Sequence, residues 1–282
     1  MTVAAHYGLK AESDTINGMK LLAIPDIHEN LDFLKYIMAV EDTAQFDHIV
    51  LLGDYFDRRD DKPSTTDDLV RVAGTILGVK EILGDKLHLL CGNHDLPYYA
   101  LRPVCGDCAG KPNRTIGHWM ECTTYERAEA INSVWDEAFW RELKGAVLLD
   151  GWLFSHAGID ARWWPKAGKT VEDRMQRFDE SWQRAFDSIY KEAENPLFSV
   201  GRARGGTSPV GGPLWLDWDA EFEDNLEVPQ IAGHTRCAKQ TQKGRSYCID
   251  MMQAAYAVIE DGDVQLRIWP DSWLGESLLE SV

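Results

Sequence analysis

Five polar clusters in this chain stand at or near the ends of short apolar runs. Asp26-x-His28 follows Lys20 to Ile24, Asp54-x-x-Asp57-Arg58 follows Ile49 to Gly53, and Asn93-His94-Asp95 comes just after Leu87 to Leu90. His156 follows Trp152 to Ser155, and His234 comes just after Ile231-Ala232. Carboxylate, imidazole and amide oxygen, without thiolate, form a donor set for borderline divalent ions such as Mn, Fe or Zn. Two such ions about 3.5–4 Å apart need a shared carboxylate, whose two oxygens bridge them and offset part of their repulsion. Asp54, at the end of a central strand, is the natural bridge. The same hexad offers Asp57 to orient a catalytic histidine and Arg58 to hold a phosphate. Taken singly, an Asp after a strand is a turn or cap residue, and a lone His is a hydrogen-bonded surface or core residue. It is the ordered set that points to chemistry.

The elements that must position these clusters can be read from the apolar periodicity. Strands are expected over 20–24, 48–52 and 87–90. A helix follows Asn30, a plausible N-cap, with Leu31, Leu34, Ile37, Met38 and Val40 inward, and a second begins near Ser64-Thr65-Thr66-Asp67. This βαβαβ order implies a mainly parallel sheet with its ligands at the carboxyl ends of the strands. Residues 96–123, rich in Pro and Gly, read as a loop insertion over the site. One helix is expected over Thr124 to Leu143, with Ile131, Val134, Trp135, Ala138 and Phe139 inward, and another over about 170–193. A hairpin turns at Asp150-Gly151 between Ala146–Leu149 and Trp152–Ser155. Residues 195–213 form a long Gly- and Pro-rich loop. Strands near 246–250, 255–260 and 263–269 are expected to finish a second sheet. Residues 1–19 read as a loosely docked leader, and no internal domain boundary is evident, so 1–282 reads as one domain.

The chain has 282 residues and a formal charge of −17. That sign repels polyphosphate backbones and disfavours general nucleic-acid binding. A small phosphorylated molecule, a nucleotide or a phosphoprotein held through metal ions remains compatible. The first twenty residues lack a basic and apolar leader pattern, and no apolar run reaches the roughly 18 residues of a membrane span. A cytoplasmic protein without membrane partners is expected, with its six cysteines reduced.

As an ordered set, the clusters resemble the calcineurin-like metallophosphoesterase superfamily, particularly its phosphoprotein phosphatase branch. The matching segments are Pro25-Asp26-Ile27-His28-Glu29, Gly53 to Arg59, Gly92-Asn93-His94-Asp95, His156-Ala157-Gly158 and Gly233-His234-Thr235. The resemblance implies an α/β fold of two mixed sheets packed as a sandwich and flanked by helices, in four layers. It implies two divalent ions, Mn foremost and Fe or Zn as alternatives. The first would be held by Asp26, His28 and Asp54, and the second by Asp54, Asn93, His156 and His234. A bridging water of lowered pKa would attack phosphorus, Arg58 would stabilise the phosphoryl oxygens, and His94, held by Asp57, would protonate the leaving oxygen. The activity implied is phosphomonoester hydrolysis of the serine/threonine-phosphatase kind. A diadenosine tetraphosphate-type hydrolase is the alternative, and a non-catalytic scaffold a more distant one. Departures from the family pattern include Pro25 and Glu29 for glycines, Arg59 for glycine, Asp95 for glutamate and Arg236 where many relatives carry a second metal-binding histidine.

Two further groups come from the loops. Arg202 and Arg204 precede Pro213-Leu214-Trp215-Leu216-Asp217, and one of them, Arg204 by preference, is expected to complete a phosphate clamp. Cys105, Cys108, His118 and Cys122 could together hold a structural zinc bracing the insertion.

Overall fold

The computed structural model describes residues 18–60, 62–101, 123–189, 195–237 and 241–272. Strands β1 (Leu21–Ile24), β2 (His48–Leu51) and β3 (Leu87–Leu89) lie side by side and parallel. Helices α1 (Leu31–Val40) and α2 (Thr66–Leu83) make the crossovers. Each starts where its sequence supplies a cap. The Asn30 side chain accepts from the Phe33 amide, and Thr65 and Asp68 form a reciprocal capping box.

Beyond β3 come the short helix α3 (Leu96–Ala100), then α4 (Tyr125–Asn132) and α5 (Glu137–Glu142). The hairpin β4 (Ala146–Leu149) and β5 (Trp152–Ser155) leads to the long helix α6 (Val171–Ser188). The chain closes with β6 (Gln230–Ala232), β7 (Thr241–Lys243), β8 (Ser246–Cys248), β9 (Ala255–Glu260) and β10 (Asp263–Ile268). The strands form two mixed five-stranded sheets, in the orders β10-β9-β1-β2-β3 and β4-β5-β6-β8-β7.

Alternation along the strands shows how the layers stack. Leu21, Ala23 and Val50 of the first sheet share one apolar cluster with Val147, Trp152, Phe154 and Ile231 of the second. Leu22, Ile24, Ile49 and Leu51 point the other way, into a larger cluster with Phe33, Ile37, Val72 and Ile76 from α1 and α2. Met175, Phe178 and Trp182 of α6 are buried in that cluster together with Ala146 and Leu153 of the second sheet. The protein is therefore an α/β sandwich of two sheets with helices outside.

Four expectations need correcting. The segment expected as one helix over 124–143 is two, because the Asp136 side chain caps a new start by accepting from Phe139, while Asn132 bonds the carbonyls of Tyr98 and Ala128. Ala138 is accordingly exposed, and Trp140 is buried. The insertion begins with the helical residues of α3 rather than with loop. Strands β9 and β10 join the first sheet beside β1, not the second. The edge strand β7 has no counterpart among the expected strands, since three residues with no apolar alternation leave little signal. Residues 102–122, and with them the proposed zinc ligands Cys105, Cys108, His118 and Cys122, lie outside the described residues, as does most of the expected leader.

Trp135, in the break between α4 and α5, is fully buried. Its ring meets Tyr55 and Phe56 edge-on at 5.5 and 5.1 Å, and its indole N–H donates to the Ala73 carbonyl at 2.9 Å. It thus braces the segment that carries Asp54 and Asp57 from behind. Replacing Trp135 with Ala is expected to cost about 3–5 kcal/mol of stability, measured as a lower urea midpoint.

A candidate metal centre and active site

The polar clusters leave their strands through unusual backbone. His28, Glu29, Asp54, Asp57 and His234 all have left-handed φ, between 45° and 65°. Non-glycine residues rarely adopt this conformation, and its clustering is typical of functional sites. Two glycines make room for the carboxylates. A Cβ on Gly92 would collide with Asp54 Oδ1, and one on Gly233 with Asp26 Oδ1. Asp95 ties the strand ends together, its carboxylate accepting from the amides of Asp54, Tyr55 and Gly92 at 2.7–2.8 Å.

These turns converge two groups of donors. Asp26, His28 and Asp54 form one, and Asp54, His156 and His234 form the other, each with ligand atoms within 4.8 Å of one another. Asp54 belongs to both. Asn93 joins the second group, its Oδ1 lying 2.9 Å from His156 Nε2. The histidines are oriented for coordination. His28 Nδ1 lies 2.9 Å from the Phe56 carbonyl and His156 Nδ1 2.8 Å from the Leu52 carbonyl. The backbone carbonyl fixes each ring with Nε2 on the side of the buried carboxylates, 3.5–3.6 Å from Asp26 and Asp54 for His28 and 3.6 Å from Asp54 for His156.

The buried polar atoms fit bound cations. Asp26 and Asp54 are completely buried, yet Oδ2 of each, like both ring nitrogens of His234, has no hydrogen-bond partner among the described residues. Burial alone would raise Asp26, but His156, His28 and the His234 amide hold its carboxyl well below the usual range. Burial, with His156 and Arg204 nearby, pushes His234 well below the usual histidine range, so it stands neutral with a lone pair to offer. Anionic oxygens and neutral imidazole in a water-excluded pocket are a donor set for divalent metal, and the residues present fit one.

Beside this centre, His94 Nδ1 lies 2.8 Å from Asp57 Oδ2. Asp57 is itself fixed: its other oxygen accepts from Tyr98 and from Arg127, and its amide donates to Glu29 Oε1. Arg127 also reaches Glu29 Oε1 at 3.3 Å and Tyr98 Oη at 3.0 Å. The glutamate standing where relatives carry glycine therefore has a structural partner. Sequence reading misses Arg127 because no local motif marks it; its contacts are made with residues far away in the chain.

A cleft of about 500 Å³ opens over His94 and His234, and Arg59, Arg204 and Arg236 line it. Arg204 is anchored there by Asp217 at 2.7 Å and Thr235 at 2.8 Å. The structure does not bring Arg58 or Arg202 into this cleft. Arg58 forms a two-point pair with Asp60 and faces a neighbouring groove with Lys35, Lys62 and Arg71. Arg202 is exposed on a 3₁₀ turn. Arg59 and Arg236 are cationic cleft residues to which sequence reading assigns no role, although both stand out as departures from the family pattern. Arg59 Nε donates to His28 Nε2 at 2.8 Å, and its other end lies 3.4 Å from His94 Nε2.

Comparison with known proteins shows the family and the fold. The family model described as calcineurin-like phosphoesterase matches residues 19–236. Among solved structures, a cold-active protein-tyrosine phosphatase of a psychrophilic Shewanella species superposes with a TM-score of 0.54 at 16% identity, covering 89% of this chain and 78% of that one. A further structure of a cold-active protein tyrosine phosphatase gives a TM-score of 0.53 at 16% identity, covering 89% and 79%. A putative diadenosine tetraphosphatase gives 0.44 at 13% identity, covering 91% and 96%. At these identities the first two show a shared fold. No curated protein sequence matches this chain.

Arg59 and a cation cannot both use the His28 Nε2 lone pair, and two positive charges at that distance repel. Arg59→Gly is therefore expected to tighten Mn binding about tenfold, measured by calorimetric titration. An unchanged affinity would show that Arg59 does not compete.

Proposed function

Because this chain belongs to the calcineurin-like phosphoesterase family, we propose that it is a metal-dependent hydrolase of phosphomonoesters working at a two-ion centre. The observation that carries this reading is the convergence, around one shared carboxylate, of buried atoms of Asp26, Asp54 and His234 that have no hydrogen-bond partner among the described residues. Asp26, His28 and Asp54 would hold one ion, and Asp54, Asn93, His156 and His234 the other. Such ions, when bound, supply Lewis-acid charge at the phosphoryl oxygens and lower the pKa of a coordinated water. Mn is the first candidate.

The chain's own residues account for the rest. Arg204, held by Asp217 and Thr235, presents its guanidinium to the cleft for the phosphoryl oxygens of the substrate. Arg58 can join it only by leaving Asp60. His94 donates a proton from Nε2 to the leaving oxygen, while Asp57 holds Nδ1 and stabilises the imidazolium form needed for that donation. Tyr98 and Arg127 keep Asp57 in place, and burial with the neighbouring Asp57 holds the Tyr98 hydroxyl far above its usual pKa, so it remains a donor. Trp215, in edge contact with His234, shields that side of the centre.

The protein is expected to hydrolyse p-nitrophenyl phosphate in the presence of Mn, and His94→Asn to lower kcat by about 10²- to 10⁴-fold with metal content retained. Parallel assays on a phosphopeptide and on diadenosine tetraphosphate define the substrate. Cleavage of the last alone would overturn the monoesterase reading. Less than one metal ion per chain after mild purification, with no Mn-stimulated turnover, would point instead to a scaffold.

A further inference from the structure

The arginines around the cleft differ in how their charge is balanced. Arg58 is neutralised by Asp60 and Arg204 by Asp217. Arg59 and Arg236 make no ion pair with a carboxylate among the described residues, and both are exposed. Arg236 makes no side-chain hydrogen bond there either, and Arg59 bonds only His28 and His94. In a chain of net charge −17, where carboxylates outnumber cations 46 to 29, two guanidinium groups with no ion-paired carboxylate among the described residues, at the mouth of one cleft, need a reason. They also oppose each other: partial desolvation and then the charge of Arg59 push the Arg236 guanidinium below its usual pKa, against the more distant pull of Asp250 and Asp26.

The placement of the pair is specific. Arg59 and Arg236 line the cleft over His94 and His234, and the same two residues line a smaller recess of about 190 Å³, together with Met252 and Gln253. They form the divide between the two spaces. The recess is below the roughly 300 Å³ at which pockets begin to take drug-sized ligands, so it suits a compact group rather than a ring system. Two acidic residues reach the recess. Asp60 is already paired with Arg58, and Asp250 is 2% exposed, with one oxygen accepting the Met252 amide. Asp250 attracts both arginines from a distance but forms an ion pair with neither among the described residues.

We propose that Arg59 and Arg236 form a second anion subsite, and that the substrate carries a second phosphate group besides the one hydrolysed. The inference rests on the phosphoesterase reading for the location of the first phosphate. A guanidinium pair binds phosphate through charge-assisted, two-point hydrogen bonds, and the second phosphate would relieve the repulsion between the two arginines. Arg59 would serve this subsite from the position where relatives carry glycine, and Arg236 from the residue that follows Gly233-His234-Thr235. The second phosphate could be joined to the first by an anhydride or carried elsewhere on the same small molecule; the shared chemistry is the doubly phosphorylated ligand.

The test compares AMP with ADP and with adenosine 3′,5′-bisphosphate, using Mn-loaded wild-type protein and the Arg236→Ala variant. The expected result is a kcat/KM at least about tenfold higher for one of the doubly phosphorylated compounds, with most of that advantage lost in Arg236→Ala. Preference for ADP identifies an anhydride-linked second phosphate, and preference for the bisphosphate an ester-linked one. Equal rates on all three, or an advantage that survives in the variant, would overturn the proposal. If none is hydrolysed, and p-nitrophenyl phosphate is not either, the phosphoesterase reading fails by itself. Equilibrium dialysis of the same labelled ligands against wild type and Arg236→Ala then decides the subsite: tighter, arginine-dependent binding of a doubly phosphorylated ligand supports it, and equal binding refutes it.

Discussion

Everything around the site answers to one electrostatic constraint, the removal of two carboxylates from water at the centre of the molecule. Asp26 and Asp54 are wholly buried, and each keeps an oxygen without a donor among the described residues. An isolated buried carboxylate costs several kcal/mol even after relaxation. The fold meets part of this with backbone amides: that of His234 reaches Asp26, and that of His94 reaches Asp54. The left-handed backbone at His234 places the first of these amides on Asp26. Gly92 and Gly233 are required because a side chain at either would collide with the carboxylates. Strain in the backbone and charge in the core are thus two sides of one arrangement, and divalent cations are the natural partners for what the amides leave unsatisfied.

A second layer of ionic contacts holds the proposed proton donor. His94 leans on Asp57, Asp57 on Tyr98 and Arg127, and Arg127 on Glu29. Such a buried network is worth most when every member is satisfied, since one missing partner leaves an uncompensated charge. It also joins β1, β2, α3 and α4, so the geometry at His94 depends on elements well separated along the chain.

The parallel half of the fold was legible in the sequence because apolar runs of four residues, caps such as Thr65 and Asp68, and polar clusters recur in a regular order. The donor residues were legible for the same reason: their types declare their chemistry, and each stands where a strand ends. Other features were hidden by distance. The strands of the β9 and β10 hairpin could be seen near 255–260 and 263–269, but nothing local says which sheet receives them. The break between α4 and α5 depends on Asn132 and Asp136 outweighing an apolar stripe that otherwise runs on at helical spacing. The balance among the arginines was hidden too, since only the folded chain shows that Asp60 claims Arg58 while Arg59 and Arg236 share a cleft with His94.

The first sheet has a history written into its strand order. Its oldest strand on the ribosome, β1, is flanked on one side by β2 and on the other by β9, with Leu21 opposite Ile259 and Ala23 opposite Ala257. Until nearly all of the described chain has been synthesised, β1 has a bare edge of unpaired amides and carbonyls, the kind that invites association with other chains. His234 comes earlier, just after β6 of the second sheet. All the donor residues are therefore present in the chain before β9 closes the first sheet, and they come together only as the strands that carry them pair. High contact order of this kind slows folding, so here the rate at which distant strands find each other also sets when the buried carboxylates and histidines meet.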